Sequence, residues 1–365
     1  MNLFRLKILA CAASLVAATA LFAQAQENPN HQSHISVVAS TVPANGDVNP
    51  YGVARVPWSS GSLVRGNILV SNFNNAANLQ GTGTTIVQIA PDGSSSLFAQ
   101  INASSLPGPC PGGIGLTTAL AVLRTGWVIV GSLPTTDGTS ATAQAGCLLV
   151  LDDHGNVVET FYGSLLNGPW DMAAWDAGDF ADLFVTNVLE GTVAAGGNVV
   201  QRGTVVRLAL KIHSGSAPTL QSITVIGSGF SQRTDPAALV IGPTGLGLDA
   251  NANTLYVADS LNNRIAAIHD PVFRDTSAGI GATVSQNEFL DDPLGLTVAP
   301  DGTILTVNGN NGLLVETTPR GDQVRKALLD STGTPPGAGA LFGLIDQRVG
   351  IYFVDDVSNT LNLFH

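Results

Sequence analysis

Six times along the chain an apolar run leads into small polar residues: ILVSN (68–72), VIVGS (128–132), LFVTN (183–187), LYVAD (255–259), ILTVNG (304–309) and YFVDD (352–356). Each is preceded by an apolar segment that opens at or near Gly or Pro: NPYGVARV, GGIGLTTAL, GPWDMAAW, GPTGLGLD, DPLGLTVAP and ALFGLI. Each is followed by a third apolar segment: TTIVQIA, CLLVLDD, TVVRLAL, RIAAI, GLLVETT and TLNLF. Runs of this length bounded by turn residues read as β-strands. Asp92-Gly93, Gly155-Asn156 and Gly321-Asp322 then supply turns into a fourth strand, because Gly and Asn tolerate the positive φ a tight hairpin needs. A four-stranded antiparallel unit repeated six times, in a chain with 41 glycines and little helical periodicity, predicts an all-β fold: a six-bladed β-propeller over residues 35–365.

The ends of the pattern predict how the ring closes. The last copy stops at its third strand, TLNLF, which would leave an open edge. HISVVAS, near the other end, is a strand without a copy of its own. Residues 35–39 are therefore expected to form the outer strand of the last blade. Between Asp171 and Gly245 a third strand (204–212) and a fourth (219–227) are expected, followed by an irregular Ser-, Gly- and Pro-rich connection and no seventh blade.

Residues 1–25 read as a signal peptide. Arg5 and Lys7 precede an apolar run from Ile8 to Phe22, and Ala23-Gln24-Ala25 has the small-x-small spacing of a cleavage site. A polar linker, residues 26–34, follows. The product is expected to be secreted or periplasmic, with no membrane anchor after processing. Losing Arg5 and Lys7 leaves 13 basic against 27 acidic residues, a net charge of −14. Such a surface repels phosphate backbones, so nucleic acid is not an expected partner. Cys110 and Cys147 remain; in an oxidising compartment they are expected to form a disulfide.

GPTGLGLDANANTLYVADSLNNRIAAIHD resembles an NHL repeat, with a Pro-x-Gly start, a Val-Ala-Asp end to the second strand, and Asn263, Arg264 and Ile265 opening the third. The resemblance covers the whole propeller as architecture and this one blade as a specific motif. NHL-type and gluconolactonase-type propellers share a six-bladed shape, and the lactonase-type members hold a divalent cation on the ring axis with Glu, Asn and Asp. At the matching positions this chain has Tyr51, Ile114, Trp170, Thr244, Leu294 and Phe342. None is a carboxylate or carboxamide, so no metal ligand is assigned. Asp171 is the one acidic residue nearby.

In an antiparallel blade the start of the first strand and the end of the second lie on one face. An apolar, partly aromatic mouth with a polar rim is therefore expected, built from Tyr51, Asn72, Trp170, Asp171, Asn187, Asp259 and Asp356 as the candidate ligand-binding residues. Longer connections in the first three copies should wall half of it. Asp291 and Asp292 read as solvated turn residues, and no catalytic residue is assigned. The expected role is a binding or interaction module for a small molecule, glycan or protein, without a cofactor. The alternative is a gluconolactonase-like hydrolase or lyase requiring calcium or another divalent cation.

Overall fold

The computed structural model describes residues 34–213 and 215–365; the expected signal peptide and most of the linker lie outside them. Six antiparallel sheets follow one another around a ring, and the first strands of successive blades touch in a closed circuit from Val48–Arg55 through Leu341–Gln347 and back. Blades 2, 4 and 5 are simple four-stranded meanders, as is blade 1. Buried strand positions are dominated by Val, Leu, Ile and Phe, whose branched or flat side chains fill the space between facing sheets. Among the described residues no helix is long and apolar enough to cross a membrane.

The seam closes as the sequence predicts. Ile35–Ser40 pairs antiparallel with Thr360–Phe364, in register from Ile35 opposite Phe364 to Ser40 opposite Thr360. Beyond the strand, Thr41 donates its N–H and its hydroxyl to the carbonyl of Asn359, at 2.9 and 3.0 Å. Asn359 Oδ1 accepts from the N–H of Asn49, 2.7 Å, which ties the last blade to the first.

Blade 3 departs from the expectation. Its third and fourth strands are Val200–His213 and Ser216–Asp235, and a fifth strand, Leu239–Ile241, folds back on the end of the fourth. The Gly227-Ser228-Gly229 stretch that reads as a breaker is a β-bulge. Thr204 pairs with Ser228 and Gly203 with Phe230, leaving Gly229, at φ +86°, as the extra residue. A glycine in the left-handed region absorbs the kink and the ladder resumes beyond it.

Cys110 and Cys147 form a disulfide with Cα atoms 5.2 Å apart, tying the link between blades 1 and 2 to the third strand of blade 2. Arg264 is likewise structural. Its side chain is 4% exposed, and Nε and Nη2 bond Asp259 Oδ2 at 2.9 and 2.8 Å, while Nη1 and Nη2 reach Thr283 Oγ1 and the carbonyl of Ile280. Removing one member of a buried pair strands the other's charge, at a cost of roughly 3–5 kcal/mol. Arg264→Ala should lower the unfolding free energy measured in urea by about that amount, whereas substitution of the exposed Arg65 should change it little.

Candidate functional site

The ring mouth is shaped by one irregularity repeated in every blade. Pro50, Leu116, Pro169, Pro243, Pro293 and Leu341 pair with Asn72, Ser132, Asn187, Asp259, Asn308 and Asp355, and just after each pair the register slips. A bulge at this point turns the next side chain out of the pleat, bringing Tyr51, Thr117, Trp170, Thr244, Leu294 and Phe342 to equivalent positions near the axis. This corrects the alignment read from sequence: Thr117 replaces Ile114 in blade 2, and Asn308 and Asp355, not Gly309 and Asp356, complete the set of second-strand ends. The slip is invisible in the sequence because the bulged residue belongs to the same apolar run as its neighbours.

The aromatic members pack on one another. Tyr51 stacks on Phe342 with ring centroids 3.8 Å apart and on Phe73 at 4.4 Å, and Trp170 lies 6.3 Å from both Tyr51 and Phe342. The end of blade 3 covers them. Residues 235–241 form a tight hairpin in which Asp235 Oδ1 accepts from the N–H groups of Ala237 and Ala238, and Leu239, Val240 and Ile241 are each 3% exposed or less. Trp170 Nε1 donates to the carbonyl of Val240 at 3.1 Å, and Gln80 Nε2, from the long connection of blade 1, donates to that of Pro236 at 2.8 Å. The hairpin is a stopper. Only about 10 Å³ of free space remains between it, Tyr51 and Trp170, too little for a ligand.

The seven residues expected to bind ligand are consequently dispersed. Tyr51 and Trp170 lie beneath the stopper. Asn72 Nδ2 donates to the carbonyl of Thr41 and to Thr85 Oγ1 near the seam, and Asp259 is the ion-pair partner of Arg264. Asn187 is buried, with neither amide atom hydrogen-bonded to the protein. Asp171 lies below the mouth, its Oδ2 accepting from the N–H of Leu246 at 2.8 Å. Asp356 is half-buried, and burial, with Asp355 beside it, pushes its carboxyl up to about 7.

The open space on this face lies beside the stopper, in a cleft of about 390 Å³ between it and blades 4 to 6. Arg233 and Asp235 line one wall, joined by a 2.8 Å ion pair, and Leu294 and Phe342 are among its apolar lining. Asp291 and Asp292 come from the link into blade 5, where the sequence reading expected solvated turn carboxylates. Asp292 is half-buried instead. Its N–H donates to Asn263 Oδ1 at 2.8 Å, its carbonyl accepts from Gly309, and its Oδ1 has no hydrogen-bond partner in the protein. Burial raises its carboxyl to about 7, reinforced by the negative charges of Asp235 and Asp291 and opposed by Arg233. One signal could have marked it: an Asp directly before the Pro that opens an innermost strand is carried to the mouth by that strand.

A divalent cation on the axis does not fit these residues. The six bulge positions offer two hydroxyls from Thr, one from Tyr and no carboxylate, whereas hard cations take six or more oxygen ligands, carboxylates prominent among them. Among the described residues, the group of carboxylate and imidazole side chains close enough to share an ion is Asp152, Asp153 and His154, in the turn after Cys147–Leu151 on the opposite face. There Asp152 Oδ1 accepts from the N–H groups of His154 and Asn156, and Asp153 Oδ2 from Ser60.

No protein-family model matches the chain, and no curated protein matches its sequence. Solved structures do. A gluconolactonase of Xanthomonas campestris superposes with a TM-score of 0.53 at 12% identity, over 91% of this chain and 89% of that one. A putative oxidoreductase (glucose dehydrogenase) from Thermus thermophilus gives 0.53 at 12% identity, over 92% and 100%. The PQQ-bound aldose sugar dehydrogenase of Streptomyces coelicolor gives 0.52 at 14% identity, over 91% and 98%. What these proteins share with this chain is the six-bladed architecture, and fold alone does not carry function.

Proposed function

We propose that this protein is a small-molecule-binding propeller working outside the cytoplasm, and that its ligand is an uncharged, hydroxyl-rich molecule held in the cleft beside the stopper. The observation that carries the reading is Asp292: a carboxyl with an unpartnered oxygen, facing a cleft with two further carboxyls and an apolar floor. Carboxylates accept hydrogen bonds from hydroxyls, and Leu294 and Phe342 suit the C–H face of a ring. Arg233 is already neutralised by Asp235, so an anionic ligand meets net negative charge. The disulfide fits an oxidising compartment.

Calorimetric titration with aldoses, aldonolactones, polyols and aldonates tests this. Neutral polyhydroxy compounds should bind and aldonates should not. Asp292→Ala should weaken binding at least tenfold while Asp153→Ala, on the other face, leaves it unchanged. Tighter binding of the anions, or indifference to Asp292→Ala, would overturn the assignment.

One observation favours a second reading, hydrolysis of a lactone in the same cleft. A carboxyl titrating near 7 is suited to give and take a proton at neutral pH. On that reading turnover of a sugar lactone follows a pH profile with an arm near 7, and Asp292→Asn abolishes it while binding persists.

A further inference from the structure

A second cavity, of about 290 Å³, runs along the ring axis below the stopper. At its inner end lie Asp171 and Thr118, 8% and 4% exposed. Its other end is bounded by half-buried residues such as Ala174 and Ile345 and by exposed Arg55, on the face opposite the cleft. It is therefore a blind channel, stoppered above and open below. Its walls are the innermost strands, where the side chains of Val53, Leu120, Met172, Leu246, Leu296 and Leu344 alternate with polar groups that make up the larger part of the accessible wall.

The position of Asp171 is unusual within the ring. Its equivalents in blades 1, 4, 5 and 6 are Gly52, Gly245, Gly295 and Gly343. There a Cβ would press on the neighbouring blade: 1.8 Å from the carbonyl oxygen of Phe342 at Gly295, 2.3 Å from that of Tyr51 at Gly343 and 2.5 Å from that of Leu294 at Gly245. Blade 3 alone places a carboxyl in this slot. One oxygen accepts from Leu246, and its own N–H donates to Thr186 Oγ1 at 3.0 Å. Thr118, beside it in the lining, has a hydroxyl with no hydrogen-bond partner in the protein. A buried hydroxyl without a partner and a buried carboxyl without a counter-charge are both costly, and both lie at the inner end of this channel.

We infer that the axial channel is a second binding site, for a small unbranched primary amine, its ammonium seated on Asp171 beside Thr118 and its chain running toward the opening. The head must donate, because a carboxylate only accepts and the Thr118 hydroxyl can accept as well. It should carry positive charge, because Asp171 and Arg55 are the charged side chains of the lining and Arg55 lies exposed at the far end. A carboxylate head would meet Asp171 directly. Burial holds the Asp171 carboxyl at about 7, and an ammonium beside it supplies the missing counter-charge.

The test is calorimetry and NMR titration of the full-length protein with n-hexylamine, n-hexanol and n-hexanoate. Hexylamine should bind saturably and at least tenfold more tightly than hexanol, with no binding of hexanoate. Asp171→Asn should weaken the amine at least tenfold, and Thr118→Val, which removes only the hydroxyl, several-fold. Ala174→Phe, which narrows the channel away from both polar groups, should abolish binding and serves as the independent variant if Asp171→Asn fails to fold. Equal binding of hexanol or hexanoate, amine binding that survives Ala174→Phe, or no saturable binding of the amine would each overturn the assignment. Amine adsorbed on the acidic surface would survive both substitutions and counts against it.

Discussion

A chain beginning at Thr41 is expected to unfold several degrees below the full-length protein. Losing Ile35–Ser40 removes the ladder to Thr360–Phe364 and uncovers Leu361 and Phe364. It also withdraws Val38 and Ala39 from the central apolar cluster. With each ladder hydrogen bond contributing about 1 kcal/mol net, the loss is on the order of 5 kcal/mol. A domain of this size has an unfolding entropy that converts this to roughly 5–10 °C. The exposed edge adds a tendency to self-associate. A permuted chain separates this explanation from simple truncation damage. His34 and His365 exchange backbone hydrogen bonds of 2.7 and 3.1 Å, so residues 34–40 fused after His365 through a tight turn can return to the same edge. The permutant beginning at Thr41 should recover most of the lost melting temperature. A truncated chain that melts with the intact one, or a permutant that recovers nothing, would show that the strand is not what closes the ring.

The closure was legible in the sequence because it is a counting argument: one copy lacks an outer strand and one strand lacks a copy. The six blades were legible for the same reason, since apolar runs ending in LYVAD or LFVTN repeat locally and each repeat buries the same faces. What could not be read is where a strand bends. The slips after Pro50, Pro169, Pro243, Pro293 and Leu341 decide which side chain faces the axis, yet they fall where neighbouring blades approach each other closely, and no local pattern records that contact. Gly229 looks like a strand end and is a bulge, and that one difference produces the stopper. The stopper in turn decides the site. Tyr51 and Trp170 have the composition of a ligand mouth, but Leu239, Val240 and Ile241, distant in sequence, lie in the same apolar cluster. Asp292 read as a solvated turn residue, because nothing local to DDPLG records Asp235 arriving from blade 3.

Three carboxyls, one buried and two half-buried, are expected to make the protein's stability fall as pH rises, the reverse of the usual behaviour of ion-paired acids. Asp171, Asp292 and Asp356 are each raised from 3.8 to about 7, in every case chiefly by burial. A carboxyl whose pKa is higher in the folded state than in the unfolded one binds its proton more tightly when folded. Its contribution is fully present below the unfolded value of 3.8 and is lost as pH climbs through about 7, after which the curve is flat. Asp92, Asp137 and Asp301 shift the other way through hydrogen bonds to neighbouring Ser and Thr groups, and they matter only in more acid solution than this window. A three-unit shift corresponds to roughly 4 kcal/mol per group as an upper limit, so the urea midpoint at pH 5 should lie clearly above that at pH 8. Asn keeps the carbonyl that accepts from Leu246 while removing the ionisation at Asp171, and the same exchange neutralises Asp292 and Asp356. The variant carrying all three substitutions should lose most of the slope between pH 5 and pH 8, the remainder coming from Asp182, Asp259, Asp346 and Asp355, which burial also raises. A native protein already level over that range, or a triple variant that keeps the slope, would mean that these carboxyls remain ionised in the fold and that neither the cleft nor the channel is as dry as its geometry implies.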